Sequence, residues 1–170
     1  MMQPNILTVQ EFATYRDVGR KPDADKIAEC ISLAENSDLY DVLDTFLFTV
    51  KANLENESYK DLLNGSTFTF NGVRYQHEGI KSLLADYVYS RFVYVVNTNF
   101  TPFGAVKKHN DNSTPVERNM LKDIKSQTLK DADIKFTLID KYLRSNKELF
   151  ADYNKGNNSD ISQGQRFYTL

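Results

Sequence analysis

Hydrophobic residues recur at three- and four-residue steps along most of this chain, a spacing that predicts a mainly α-helical protein. The first helix runs from Val9 to about Arg16. It begins at Thr8, and Glu11 three residues later completes the pattern of a capping box. The opening segment is therefore predicted as a short helix with a well-defined start.

A second helical region extends from Asp23 to about Leu54. Polar residues at 36–38 are expected to interrupt it, and beyond them the apolar positions continue at helical spacing: Leu39, Val42, Leu43, Phe46, Leu47, Val50 and Leu54. The stretch 46–48 could instead begin a strand, because aromatic residues also favour strands. Helix is the main prediction for this stretch.

A β-hairpin is predicted around residues 67–76. Thr67–Phe70 and Val73–Gln76 are both rich in strand-forming residues, and Asn71-Gly72 separates them. Asn-Gly is the strongest short signal for a two-residue turn, because both turn residues need positive φ. An isolated hairpin is marginal in water, so it must pack against helices or a neighbouring subunit.

The central helix is predicted from Gly79 to about Asn97, with a wide apolar face suited to burial between helices. A long polar loop over residues 97–114 follows. Thr114, with Pro115 and Glu117 after it, then gives the best helix-start signal in the chain. The final helix is expected to reach about Tyr153, either as one helix or with a kink near 131–133.

The predicted fold is therefore mainly α: a bundle of long helices with one β-hairpin and an extended C-terminal tail. Residues 1–153 form the helical domain. Residues 154–170 are rich in Gly, Asn and Ser, which is typical of an unpacked segment. That tail ends in Phe167, Tyr168 and Leu170, an apolar group expected to become ordered on binding a partner.

Composition excludes several classes of function. The 170 residues carry a net charge of -2, so no general attraction to nucleic acid or anionic membrane is expected. No apolar run approaches the roughly 20 residues that span a membrane. The N-terminus lacks the basic and apolar regions of a signal peptide, so none is expected. Ten Tyr and eleven Phe with no Trp favour half-buried and interface positions.

No motif in the sequence predicts catalysis, a cofactor or a metal. His77 and His109 lack ligand spacing and are both expected to be solvated. The single cysteine, Cys30, falls on an apolar helix position and is expected to be buried. Phosphate-binding glycine motifs and nucleophile motifs are missing from the sequence. We therefore expect no enzyme activity and no cofactor.

Two segments are predicted to contact partners. The first is the loop, with apolar anchors at Phe100, Phe103 and Val106; the second is the apolar end of the tail, with Phe167, Tyr168 and Leu170. Aromatic anchors in a polar surround are typical of interfaces. Lys107 and Lys108 could touch DNA phosphates. A solvated loop is the stronger interpretation of the two lysines, unless a ring of subunits multiplies a weak patch.

The order of elements resembles the head-to-tail connector proteins of tailed bacteriophages, also called adaptor or head-completion proteins. The segment 5–12 followed by 23–27 is similar to the start of such adaptors. The stretches Leu83–Phe92 (LLADYVYSRF) and Asn99–Gly104 (NFTPFG) look most like the neck ring proteins of crAss-like phages of Bacteroidales. The resemblance covers most of residues 5–153. The motifs that carry it are structural ones.

The resemblance implies a virion protein that forms a homo-oligomeric ring in the phage neck. Such a ring joins the portal protein to further neck or tail proteins and extends the DNA channel, with non-specific contact to packaged DNA. The C-terminal tail would dock onto the portal or an adjacent subunit, after assembly in the host cytoplasm. The alternative is a small cytoplasmic nucleic-acid-binding or regulatory module, contacting its partner through Lys107, Lys108 and Arg74.

Overall fold

The computed structural model describes residues 4–19, 23–101, 104–107 and 117–153. The helices are α1 (Val9–Tyr15), α2 (Ala24–Ala34), α3 (Tyr40–Leu43), α4 (Phe46–Ala52), α5 (Lys60–Asn64), α6 (Gly79–Val95) and α7 (Arg118–Ser145). The strands are β1 (Ser66–Phe70), β2 (Val73–His77), β3 (Thr98–Thr101) and β4 (Gly104–Lys107). The described chain is thus mainly helical, as predicted, with antiparallel two-stranded ladders.

The helix starts predicted near the N-terminus are confirmed. Thr8 Oγ accepts the Glu11 N–H at 3.2 Å, while the Glu11 carboxylate accepts the Thr8 N–H at 2.9 Å. These two bonds are the capping box. Asp23 caps α2 by accepting the Lys26 N–H at 3.2 Å. Cys30 on α2 is buried, also as predicted.

At the interruption predicted over 36–38, the chain stays helical but changes from an α-helix to a π-helix. Residues Glu35–Leu39 form a π-helical turn between α2 and α3. A π turn inserts one extra residue per turn and therefore rotates the following side chains relative to the preceding ones. The stretch 46–48 lies in α4, so the alternative strand is not formed.

The predicted hairpin is confirmed as β1–β2. Strand partners run from Ser66 with His77 to Phe70 with Val73. Asn71 and Gly72 have φ of 50° and 77°, the two positive values that a two-residue turn requires. β1 and β2 both pack against α7 of the same chain. The hairpin is therefore supported within its own subunit.

Helices α6 and α7 form an antiparallel pair at the centre of the fold. Lys125 near the start of α7 lies over the Tyr94 ring near the end of α6, at 5.6 Å. At the other end, Tyr142 of α7 packs on His77, just before α6, with 4.3 Å between ring centroids. Because α6 is buried over most of its surface, it forms the axis around which α2, α5 and α7 pack.

The predicted limits of the last helix were wrong. Glu117, predicted as the third helical residue, has an extended backbone and precedes α7, which begins at Arg118. The helix is continuous through 131–133 and ends at Ser145 rather than near Tyr153. Thr114 and Pro115 lie outside the described residues.

A second ladder takes up eight residues of the loop predicted over 97–114. β3 and β4 pair antiparallel, from Thr98 with Lys107 to Thr101 with Gly104. The threonine and aromatic residues of this segment favour strands. The sequence predicts a loop there because the segment is polar overall. β3 follows α6 almost directly, so the ladder continues from the C-terminal end of that helix.

Candidate functional site

The sequence-predicted contact residues fall into two groups. Phe100 lies on β3, and Val106 and Lys107 lie on β4, so the backbone brings these three positions into one ladder. In the register, Phe100 faces Ala105 and Asn99 faces Val106. The remaining predicted contacts lie outside the described residues: Phe103, Lys108, Phe167, Tyr168 and Leu170.

Sequence reasoning missed a buried polar network between α1, α6 and α7. At its centre is Asp86, which lies mid-way along α6 and is 1% exposed. Arg16, immediately after α1, donates to Asp86 Oδ1 through Nε at 3.1 Å and also through a terminal nitrogen. Lys135 of α7 lies 2.9 Å from Asp86 Oδ2, an ion pair without hydrogen-bond alignment. One carboxylate thus holds three helices together.

Lys135 carries the network on to the start of α6. Its Nζ lies 2.9 Å from Glu78 Oε2 and donates to Ser82 Oγ at 2.8 Å. Ser82 in turn donates to Glu78 at 2.7 Å. These bonds from Ser82 and Lys135 lower the pKa of Glu78, although burial opposes them. Glu78 is therefore held ionised where the hairpin meets α6.

A further ion pair joins α1 to α6 on the solvent side of this network. Lys81 Nζ lies 2.5 Å from Glu11 Oε1. Burial acts to raise the pKa of Glu11, but the bonds from Lys81 and Thr8 together outweigh it and lower the pKa. Glu11, which takes part in the capping box, thus also fixes α1 against α6.

Two shallow clefts flank the network. One, of about 370 Å³, is bordered by Tyr15, Ser66, His77 and Ser82 among others. The other, of about 420 Å³, lies between the hairpin and α7 and is bordered by Asp131, Ile134 and Leu138. Gln76 and Glu78 border both. These clefts are large enough for small ligands, but Glu78 and Lys135, which border the second one, are already paired to each other.

His77 was predicted to be solvated, and that prediction is wrong. It is 1% exposed, at the end of β2, where its ring packs on Tyr142 at 4.3 Å and on Phe68 at 5.7 Å. Its Nε2 lies 3.1 Å from Ser66 Oγ. Side chains two residues apart on a strand lie on the same face, so His77 shares its face with Tyr75. This spacing is the sequence signal that could have identified His77 as inward-facing. His109 lies outside the described residues.

The Ser66–His77 contact lacks the geometry of an activated nucleophile. Catalytic pairs of this kind orient the histidine through a group that binds its second ring nitrogen. Nδ1 of His77 has no hydrogen-bond partner among the described residues. Burial lowers the pKa of His77, and Asp61 opposes this only in part. The imidazole is thus a neutral packing group of the hairpin.

Replacing His77 with Phe is expected to flatten the pH dependence of stability. The folded pKa lies below the ordinary value of 6.5, so the unfolded chain binds the proton more readily. The contribution of His77 is therefore fully present above pH 6.5 and is lost as the pH falls through the lowered folded pKa. Urea unfolding at several pH values between about 5 and 7.5 measures this for the wild type and His77→Phe. Equal pH slopes in the two proteins would contradict the prediction.

Two ion pairs fix the π turn to the rest of the fold. Glu35, fully buried within the turn, accepts the Ile6 N–H at 2.7 Å and pairs with Lys51 of α4. Arg91 of α6 binds Asp38 through two bonds, at 2.7 and 3.0 Å. The Asp38 bonds raise the pKa of Arg91. Bidentate charge-assisted bonds fix orientation as well as distance, so these pairs tie the π turn to α4 and α6.

Several large apolar side chains are exposed on the described surface. Tyr40 and Phe48 form an edge-to-face pair, with 6.0 Å between ring centroids, at the α3–α4 turn. Ile134 and Met120 on α7 and Val73 on β2 are each more than half exposed. These exposed side chains lie on α3, α4, α7 and β2.

Within the described ranges, no set of three or more His, Cys, Asp or Glu side chains is arranged to hold a metal ion. The helices of the same ranges are too short or too polar to cross a membrane.

The profile of a family of unknown function (DUF6712) matches residues 39–163, which covers most of the chain. No curated protein and no solved structure matches the chain.

Proposed function

We propose that this chain, which belongs to the DUF6712 family, is a structural virion protein that forms an oligomeric ring in the neck of a tailed phage. The ring joins the portal to the tail and extends the DNA channel. Its partners are other copies of itself, the portal protein and further neck or tail proteins, with non-specific contact to packaged DNA. The protein has no catalytic role and reaches the virion after assembly in the host cytoplasm.

The observation that carries the proposal is the position of the β3–β4 ladder. It holds Phe100, Val106 and Lys107, the described residues among those predicted to meet a partner. The ladder follows α6 directly and contacts that helix through β3. A ladder at this end of the α6–α7 pair is well placed to contact a neighbouring subunit.

The polar network supports the same proposal because it stiffens the framework that carries the ladder. Asp86 joins α1, α6 and α7, and Arg91 joins α6 to the π turn. Ion pairs between separate helices suit a subunit that must hold its contact ladder in a fixed position. We also propose that the helices form a bundle and that the C-terminal tail is extended and binds a partner.

Removing the apolar end of the tail is expected to block neck assembly without unfolding the protein. The triple variant Phe167→Ala, Tyr168→Ala, Leu170→Ala should keep wild-type helix content by circular dichroism, because the helices and core residues that the structure describes lie within 4–153. It should fail to co-sediment with the portal of the same phage. Thr169→Ala, in the same segment, is the matched control and should bind normally. Normal binding of the triple variant would remove the tail from the proposal.

The alternative nucleic-acid-binding module would use Lys107, Lys108 and Arg74 together. Arg74 lies on β2, before α6, whereas Lys107 lies on β4, after it. The 17 residues of α6 span about 25 Å, which places these charges at opposite ends of the helix. The alternative predicts DNA binding by the monomer that weakens steeply with salt. Such binding without portal binding would favour it over the ring.

A further inference from the structure

Within the described part of the chain, one strand edge is left unpaired and carries no charge. β1 reads Ser66-Thr67-Phe68-Thr69-Phe70, with no charged residue and no proline. Strand edges in soluble proteins are usually protected by charged side chains, proline or a covering element. The opposite edge follows this rule, because β2 carries Arg74. The two edges of one hairpin are therefore protected unequally.

The register shows which backbone groups of β1 are free to pair. Phe70 and Val73 close the two-residue turn, so they form a hydrogen-bonded pair, as does every second pair beyond them. The N–H and C=O groups of Thr67 and Thr69 consequently point away from β2. Both threonines are exposed, and among the described residues no backbone hydrogen bond outside the ladder reaches β1.

Among the described residues, the second ladder has little support from its own chain. A two-stranded sheet is marginal unless it gains a third strand or packs on a helix. Both strands of the β1–β2 ladder pack against α7. Among the described elements outside its own ladder, β3 instead contacts mainly α6. β3 reads Thr98-Asn99-Phe100-Thr101 and is uncharged, whereas β4 ends in Lys107. β3 therefore matches β1 in composition.

The two ladders of one chain cannot meet. β2 ends just before α6 and β3 begins just after it, so the helix holds them about 25 Å apart. Strands in one sheet lie about 4.8 Å apart. Any pairing of β3 with β1 must therefore join two copies of the chain.

We propose that β3 of one copy adds to the β1 edge of the next, forming a four-stranded intermolecular sheet in the order β2, β1, β3, β4. The inference rests on the ring proposed above and names the contact that would build it. Main-chain hydrogen bonds supply the affinity in strand addition of this kind. Because the contact uses two different surfaces, it is head-to-tail and continues from copy to copy until a ring closes.

Cross-linking between two single-site variants tests this pairing directly. Thr69→Cys and Asn99→Cys are purified separately, one with a longer tag, then mixed and treated with a short bis-maleimide that tolerates a small shift in register. The native cysteine, Cys30, is buried and does not compete. The expected product is the mixed dimer, in excess over either homodimer. Arg74→Cys with Asn99→Cys is the matched control, since Arg74 pairs with Thr69 in the register but lies on the protected edge.

Sedimentation of edge variants gives a second measurement. Thr69→Lys adds a charge to the open edge and is expected to weaken self-association by about tenfold or more, with unchanged helix content. Arg74→Lys keeps the charge of the other edge and should associate like the wild type. Equal cross-linking of the two cysteine pairs, or wild-type association of Thr69→Lys, would overturn the strand-addition contact.

The same experiments separate this inference from the ring itself. Closed rings that give no Thr69–Asn99 product would leave the proposed function standing and remove the β1–β3 contact. A strong Thr69–Asn99 product in open chains that ignore the portal would keep the contact and remove the neck function.

Discussion

Gly79→Ala is expected to lower the free energy of unfolding by about 3 kcal/mol or more. Gly79 has φ of +84°, and a Cβ at this position would lie 2.4 Å from Leu63 O and 2.5 Å from Gly65 N. Both contacts are with backbone, which cannot move aside without separating α5 from α6. The substitution therefore combines backbone strain with a direct clash.

Gly72→Ala separates these two effects. Gly72 has φ of +77°, close to that of Gly79, but no heavy atom lies within 4 Å of its added Cβ. Its cost should be the strain alone, about 1–2 kcal/mol. Urea denaturation followed by circular dichroism measures both variants. Similar losses at Gly72 and Gly79 would show that the close packing beneath the hairpin has no special role.

Asp86→Ala is expected to cost about 3–5 kcal/mol, because it leaves Lys135 without its buried counter-charge. Asp86 is 1% exposed and pairs with both Arg16 and Lys135. Arg16 can turn towards solvent, since it lies at the end of α1. Lys135 is held between α6 and α7 and depends on Glu78 for its remaining ion pair.

A double variant tests whether the charges act as a unit. Lys135→Met in the Asp86→Ala background removes the stranded cation and should recover a large part of the lost stability. Lys130→Met, an exposed lysine on the same helix, is the control and should recover nothing. Additive effects of the Asp86 and Lys135 substitutions in thermal and urea unfolding would contradict the network as described.

Local signals in the sequence predicted the elements that depend on neighbouring residues alone. Thr8 with Glu11 and Asp23 with Lys26 are short-range contacts that begin α1 and α2. Asn71-Gly72 fixed the hairpin turn for the same reason. Each of these features is decided within four residues of chain, so sequence reading could identify it.

Features that depend on distant residues could not be predicted. Asp86 lies 70 positions from Arg16 and 49 from Lys135, so no spacing rule connects them. The β3–β4 ladder was predicted as a loop because its strands are short and polar. His77 was misplaced because its burial depends on Tyr142 of α7, which the hairpin meets only in the folded chain.

The central claim is that copies of this protein form a ring that stacks on the portal. Negative-stain electron microscopy of the purified protein, alone and mixed with the portal of the same phage, tests it most directly. We expect closed rings that stack on the portal and share its axis of symmetry. A protein that stays monomeric and leaves the portal bare at every concentration tested would contradict the claim.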